Sequence, residues 1–219
     1  MGIAENLARV RERIEAACAR AARATDSVSL VAVSKAQPLE SIVRAFEAGQ
    51  ITFGENYAQE LHEKADALPE AEWHFIGALQ TNKVKLVVHH ADLVHTCDRA
   101  NLAKELSKRA AALNKVQRLL IEVNVGREPQ KGGAMPEEVE ALHALVRELP
   151  ALRCEGLLCI PPADEDPRPH FRALRELAQR LGLRELSMGM SADFEAAIEE
   201  GSTIVRVGTA IFGERPKRL

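Results

Sequence analysis

The amino-acid sequence predicts a single parallel (β/α)8, TIM-like barrel over residues 1–219, with an extra helix at its N-terminus. Three observations predict it. Eight short, β-rich apolar segments alternate strictly with stretches of helical periodicity, the pattern of a sheet built from βαβ units. The length suits one domain with a substantial core and no large appendage. A strong amphipathic helix precedes the first strand, where it can replace the helix that is missing after the eighth. An open doubly wound sheet is the alternative arrangement of the same alternation.

The N-terminal helix is read over Asn6–Ala22, with Leu7, Val10, Ile14, Ala17 and Cys18 on one face. Ser27–Ser34 is the first strand, its centre β-branched and its ends polar. Pro38 opens the helix Leu39–Ala48, which Gly49 stops. Ile51–Gly54 is the second strand, followed by a helix over Ala58–Ala67 closed by Pro69. Trp73–Ile76 is the third strand, ending in Gly77, and Lys83–Val88 is helical. Leu93–Thr96 is the fourth strand, followed by the helix Arg99–Leu113. Arg118–Val125, RLLIEVNV, is the clearest strand, and a polar loop, Gly126–Met135, leads from it to the helix Pro136–Glu148. Leu152–Ile160 holds the sixth strand, followed by the loop Pro161–Pro169 and the helix His170–Leu181. Glu185–Ser187 is a short seventh strand, and Ala192–Glu200 is a helix stopped by Gly201. Ile204–Val207 is the eighth strand, and no helix is expected in the remaining Gly213–Leu219.

Composition narrows the function. The net charge is −3 and Lys and Arg are scattered, so nucleic acid is not the expected partner. No apolar run is long enough to cross a bilayer, and the N-terminus lacks the apolar centre of a secretory signal. Asn6 stands where a myristoylation signal requires Ser or Thr. Cys18, Cys97, Cys154 and Cys159 form no C-x-x-C pair, and no histidine spacing completes a zinc site. Free thiols in a reducing cytoplasm are the expectation. His89 and His90 read as a solvated helix end, since sequence neighbours make poor co-ligands.

A barrel collects the residues just after its strands on one rim, where barrel chemistry is done. Here that rim gathers Lys35, Glu55, Asn56, Gly77, Gln80, Asn82, Asp98, Asn124, Pro161, the run Ser187–Ser191 and the run Arg206–Thr209. Lys35 ends the first strand, flanked by small residues; desolvation there lowers an amine's pKa and makes it a Schiff-base former. On that stretch alone a solvated strand-end lysine accounts for it better. Near strands seven and eight, Gly189 and Ser191 precede a helix start, whose free N–H groups and dipole suit an anion. Gly208 and Thr209 repeat the idea one strand later. Each alone reads more simply as a cap or a turn. Together with a lysine on the same rim they point to a phosphorylated aldehyde, of which pyridoxal 5′-phosphate is the obvious one.

The motifs VSKAQP at Lys35, FGENYAQE at Phe53–Glu60 and WHFIGALQTNK at Trp73–Lys83 resemble those of the pyridoxal phosphate homeostasis proteins, the YggS/PROSC family. NVGREPQKGG at Asn124–Gly133, GLLCIP at Gly156–Pro161 and SMGMSADFEAAIEEGSTIVRVGTAIFG at Ser187–Gly213 continue the likeness in the same order. Leu158 departs from it, where such proteins often carry Met. The resemblance implies a fold type III barrel like the N-terminal domain of alanine racemase, without the C-terminal β domain. It implies Lys35 as the Schiff-base lysine, Ser191, Gly208 and Thr209 at the phosphate, Arg206 facing the pyridine nitrogen and Asn56 beside the ring. His74 is left between that neighbourhood and the core.

An arginine at the ring nitrogen stays protonated and discourages protonation of the ring, which weakens carbanion chemistry. Racemisation also needs a second acid/base on the face opposite the lysine. The one tyrosine, Tyr57, follows the second strand and is expected to support that loop. The expected function is therefore non-enzymatic: a monomeric cytoplasmic carrier that buffers pyridoxal phosphate and passes it to apo-enzymes, with no resident metal. A weak racemase or a lyase is the alternative class. A phosphosugar enzyme using Lys35 fits the fold but not the motifs.

Overall fold

The structure, a computed structural model, describes residues 2–213. Eight parallel strands close into a barrel in chain order: β1 (Ser29–Val33), β2 (Thr52–Glu55), β3 (Glu72–Phe75), β4 (Leu93–Cys97), β5 (Gln117–Val123), β6 (Leu152–Cys159), β7 (Glu185–Ser187) and β8 (Ile204–Val207). The seam is β8 against β1, with Ser29 opposite Ile204 and Ala32 opposite Val207. The expected (β/α)8 barrel is thus the observed fold, and the open sheet is excluded.

The helices are α1 (Ile3–Arg20), α2 (Leu39–Glu47), α3 (Ala58–Ala67), α4 (Val84–His90), α5 (Ala100–Ala112), α6 (Val139–Glu148), α7 (Pro167–Leu181), α8 (Phe194–Glu199) and α9 (Thr209–Phe212). α2 begins at Leu39 as read, with Pro38 extended just before it. Three differences from the sequence reading have local causes. α7 begins three residues before His170, because Asp166 accepts the Arg168 N–H and prolines are tolerated in a first turn. α8 begins at Phe194 rather than Ala192. The preceding turn is closed by Met190 N–H to Asp193 Oδ1 at 2.6 Å and by Phe194 N–H to Met190 O at 2.9 Å. A single-turn helix, α9, does follow β8; residues 214–219 lie outside the described residues.

α1 covers the β8–β1 region as expected, packing on α8, α9 and α2. Asn6 Nδ2 donates to Ile211 O, Arg13 forms a two-pronged bond to Glu195 at 3.0 Å, and the Arg13 guanidinium lies 4.5 Å over the Phe194 ring. Its buried stripe is Leu7, Val10, Ile14, Ala17 and Cys18, the face read from the sequence.

Residues two apart on a strand share a face. The outward faces bury Phe53, Trp73, Phe75 and their neighbours under the helices, and each such side chain contributes about 1.5–3 kcal/mol. The inward faces hold a smaller apolar cluster of Val31, Leu93, Leu120, Leu158 and Ile204. The rest of the interior is polar, and that polar filling leads to the site.

Candidate functional site

All six expected site residues, Lys35, Asn56, Ser191, Arg206, Gly208 and Thr209, line one cavity of about 300 Å³ at the C-terminal ends of the strands. Gln37, Ile76, Ile160 and Met190 complete much of its wall. Lys35 is half-buried and sits in a turn closed by Gln37 N–H to Ser34 O at 3.0 Å. The third residue of that turn, Ala36, has φ 58, a conformation where glycine is usual.

A buried ionic network holds this turn. Glu60 Oε2 accepts the Ala36 N–H at 2.8 Å, and Lys64 Nζ donates to Ser34 O at 2.8 Å, to Glu55 Oε1 at 2.7 Å and to Glu60 Oε2 at 2.9 Å. Ser34 Oγ donates to the same Glu55 oxygen at 2.7 Å. Glu55 is fully buried, and burial outweighs the ammonium and the hydroxyl, so its carboxyl sits above the ordinary range. Glu55, grouped with the rim residues by its position, therefore builds the floor under Lys35 instead of lining the cavity. Asn124 likewise ties its own loop, through Nδ2 to Glu128 O and Oδ1 from Glu128 N–H.

Asn56 enters the cavity because Gly77 lets it. A Cβ built on Gly77 falls 2.0 Å from Asn56 O, so only glycine fits beside that backbone. The Asn56 Oδ1 is buried with no hydrogen-bond partner among the described residues, an acceptor aimed at something the fold does not supply. Across the mouth, Gly189 has φ 94, and a Cβ there falls 2.6 Å from Ala197 Cβ, which pins the Ser191 loop against α8.

Arg206 is buried on the inner face of β8. Its Nη1 donates to Ser187 Oγ at 2.7 Å and its Nη2 to Cys159 O at 3.1 Å. Burial lowers its pKa from the usual arginine value. From Ser187 a chain of bonds descends through the barrel: Ser187 Oγ to His95 Nδ1 at 2.9 Å, His95 Nε2 to His74 Nδ1 at 3.0 Å, and His74 Nε2 to Glu72 Oε1 at 3.3 Å. Glu72 is held at about 2, chiefly by the His74 bond, so it accepts. His95 is fully buried, and that burial keeps it neutral. Arg206 Nη1 donates to the Ser187 hydroxyl oxygen at one end of this chain, and the Glu72 carboxylate accepts at the other. His74 is thus a structural member of this chain, separated from Arg206 by Ser187 and His95. His95 and Ser187 were not singled out as its partners, although a polar residue at every second position of an apolar strand is the available signal.

Above Arg206, burial and the nearby Asp98 raise the Glu122 carboxyl from 4.5 to about 7, against a partial lowering by Arg206. A carboxyl raised on folding contributes stability that is full below its unfolded pKa and is lost as pH rises through the folded one. Glu122→Gln is therefore expected to match the parent at about pH 4.5 and to exceed it by roughly 3 kcal/mol at about pH 8, measured by urea unfolding across that range. Equal pH profiles for the two proteins count against the shift. The four thiols are free, three of them buried, and burial lifts Cys97, Cys154 and Cys159 to about 12, outside nucleophilic use. Among the described residues no helix is long and apolar enough to cross a membrane.

Residues 6–216 match the family described as "Alanine racemase, N-terminal domain". The chain is 50% identical to the pyridoxal phosphate homeostasis protein of Aquifex aeolicus, over 98% of this chain and 99% of that one. It is 44% identical to the protein of the same name from Escherichia coli K12, over 97% of each. The structure of PipY from Synechococcus elongatus with PLP bound superposes with a TM-score of 0.83 at 35% identity, covering 96% of this chain and 100% of PipY.

Proposed function

We propose, from the premise that this chain belongs to the alanine racemase N-terminal domain family and within it to the pyridoxal phosphate homeostasis proteins, that it serves that homeostasis as a reversible carrier anchored at Lys35. One observation carries the reading: an amine, two hydroxyls and a buried guanidinium, brought from the β1–α2 loop, the β7–α8 loop, the start of α9 and β8, line a single cavity. That donor set fits a phosphorylated aldehyde with a ring nitrogen, and the unpartnered Asn56 Oδ1 offers it one more polar contact.

Bound there, pyridoxal phosphate supplies an aldehyde that an amine holds covalently and water releases. Lys35 provides the amine. Ser191 and Thr209 hold the phosphate through their hydroxyls, and Gly208 lets the backbone approach it. Arg206, fixed by Ser187 and Cys159 O, donates to the ring nitrogen and disfavours its protonation. Efficient carbanion chemistry also needs a second acid/base across the ring. Among the described lining residues the ionisable side chains are Lys35 and Arg206, and Tyr57 lies half-exposed beside a neighbouring cavity. These features support a cytoplasmic carrier that hands the cofactor to apo-enzymes over an efficient amino-acid enzyme.

The test is a transfer assay with a phosphatase present to destroy free cofactor. Loaded protein is expected to reactivate an apo-aminotransferase that an equal amount of free pyridoxal phosphate does not. Equal recovery from both sources removes direct transfer and leaves buffering. Exchange of the alanine α-proton in deuterated water is expected at the background rate; exchange at enzymatic rates reverses the reading in favour of an enzyme.

A further inference from the structure

On the outer wall of the barrel, α3 and α4 bring together three side chains that the cavity does not use. His62 and Asp66 stand one turn apart on α3, and His90 closes α4. His62 Nδ1 lies 2.7 Å from His90 Nε2, and the Asp66 carboxylate oxygens lie 3.6 Å from each of those nitrogens. One ligand atom from each residue falls within 4.8 Å of the other two. The exposure is graded: 9% for the His90 side chain, 37% for His62 and 59% for Asp66, so the cluster has a buried floor and an open outer side. It borders a cavity of about 450 Å³ that Leu86, His89 and Leu113 also line.

We propose that His62, Asp66 and His90 form a binding site for a divalent transition-metal ion of the zinc type, open to solvent at its fourth position. Two imidazole nitrogens and one carboxylate are the donor set of such ions and not of magnesium or calcium, which take oxygen. Metal–nitrogen bonds of about 2.0–2.1 Å at a tetrahedral angle separate two nitrogens by roughly 3.4 Å. The carboxylate spacing already matches, and small ring rotations open the His–His pair. Two nearby cations are engaged elsewhere: Lys115 Nζ donates to Val88 O and Ala91 O, and Arg109 pairs with Glu105 at 2.6 Å. Lys85, also on the cavity edge, is exposed. The solvated helix end read from the sequence holds for His89, which is exposed, and not for His90, whose side chain is largely buried and meets partners from another helix. Bound metal would clamp α3 to α4, and α3 is the helix whose Glu60 and Lys64 hold the Lys35 turn.

The experiment adds zinc chloride alone to the full chain after chelator treatment, with magnesium chloride as the control. One equivalent of zinc is expected to bind and raise the melting temperature, and magnesium to do neither. His62→Ala is expected to weaken zinc binding by at least roughly tenfold and Asp66→Asn by several-fold. Both side chains are substantially exposed, so the metal-free variants are expected to melt with the parent. His90→Gln tests the buried ligand in the same way. No melting shift at roughly 100 μM zinc overturns the proposal, as does binding that His62→Ala and Asp66→Asn leave unchanged. Zinc uptake that occurs only with pairing of two chains, read by light scattering, overturns it too.

Discussion

Lys35→Ala is expected to abolish the coloured, borohydride-reducible adduct that the parent forms with pyridoxal phosphate. It is also expected to weaken cofactor binding by at least roughly two orders of magnitude, since each tenfold corresponds to about 1.4 kcal/mol. What remains should be the phosphate contacts of Ser191 and Thr209, so residual binding should be displaced by inorganic phosphate and keep the spectrum of the free aldehyde. Lys35→Arg keeps the charge but cannot form the covalent bond, and it is expected to behave like the alanine variant spectroscopically. Mass spectrometry after borohydride reduction decides the matter: a reduced adduct on the parent at Lys35, and none on either variant. An adduct that persists in Lys35→Ala moves the anchor to another lysine and removes the premise on which the carrier reading stands. Loss of zinc binding at His62 is read without cofactor, so the two proposals fail separately.

Lys64→Ala is expected to have the second largest effect. The ammonium is buried among Glu55, Glu60 and Ser34 O, and removing one member of a buried pair costs about 3–5 kcal/mol. The abandoned Glu55, already held high by burial, is expected to take a proton, which places the cost toward the lower end. The loss should also loosen the Ser34–Gln37 turn, where Ala36 is held at φ 58 against its own preference. Lys64→Met combined with Glu55→Gln removes the two most buried charges and should recover part of the stability, because a buried pair replaced together costs little while Glu60, partly exposed, keeps its bond from the Ala36 N–H. It should not recover cofactor affinity, because the bond to Ser34 O is not replaced. Urea unfolding and a cofactor titration on the same samples separate the two. Full recovery of affinity in the double variant counts against a positioning role for Lys64.

The barrel was legible because its determinants are local. Eight apolar runs bounded by turn residues place the strands, and β7 and β8 fall on the residues read from sequence, as does α3. Where boundaries moved, a side chain decided them: the Asp166 cap brings α7 forward, and the Asp193 bond to Met190 N–H holds α8 back. The helix α9 escaped notice because four residues carry no periodicity. The candidate site was legible for a related reason. Residues that follow strands must reach the same rim once the barrel closes, so Lys35, Asn56, Ser191, Arg206, Gly208 and Thr209 meet around one cavity although up to 174 positions separate them.

The sequence by itself thus determined the alternation, the barrel, the rim and the single lysine at the end of β1, because periodicity and turn chemistry act over a few residues. Only the tertiary structure decided which polar residues of the strands face inward. In a barrel both faces of every strand are buried, so burial cannot be read from alternation, and Glu72, His74, His95 and Glu122 look alike until the register is known. It also decided which side chains meet across elements. Lys64 lies on the buried stripe of α3 with Leu61 and Ala65, yet its charge is satisfied by Glu55 at the end of β2 and by Ser34 O just past β1. His90 becomes a partner of His62 only when α4 packs on α3. Such contacts join residues that are distant in the chain. Their energies depend on separations of a few ångströms, which chain closure sets and local sequence does not.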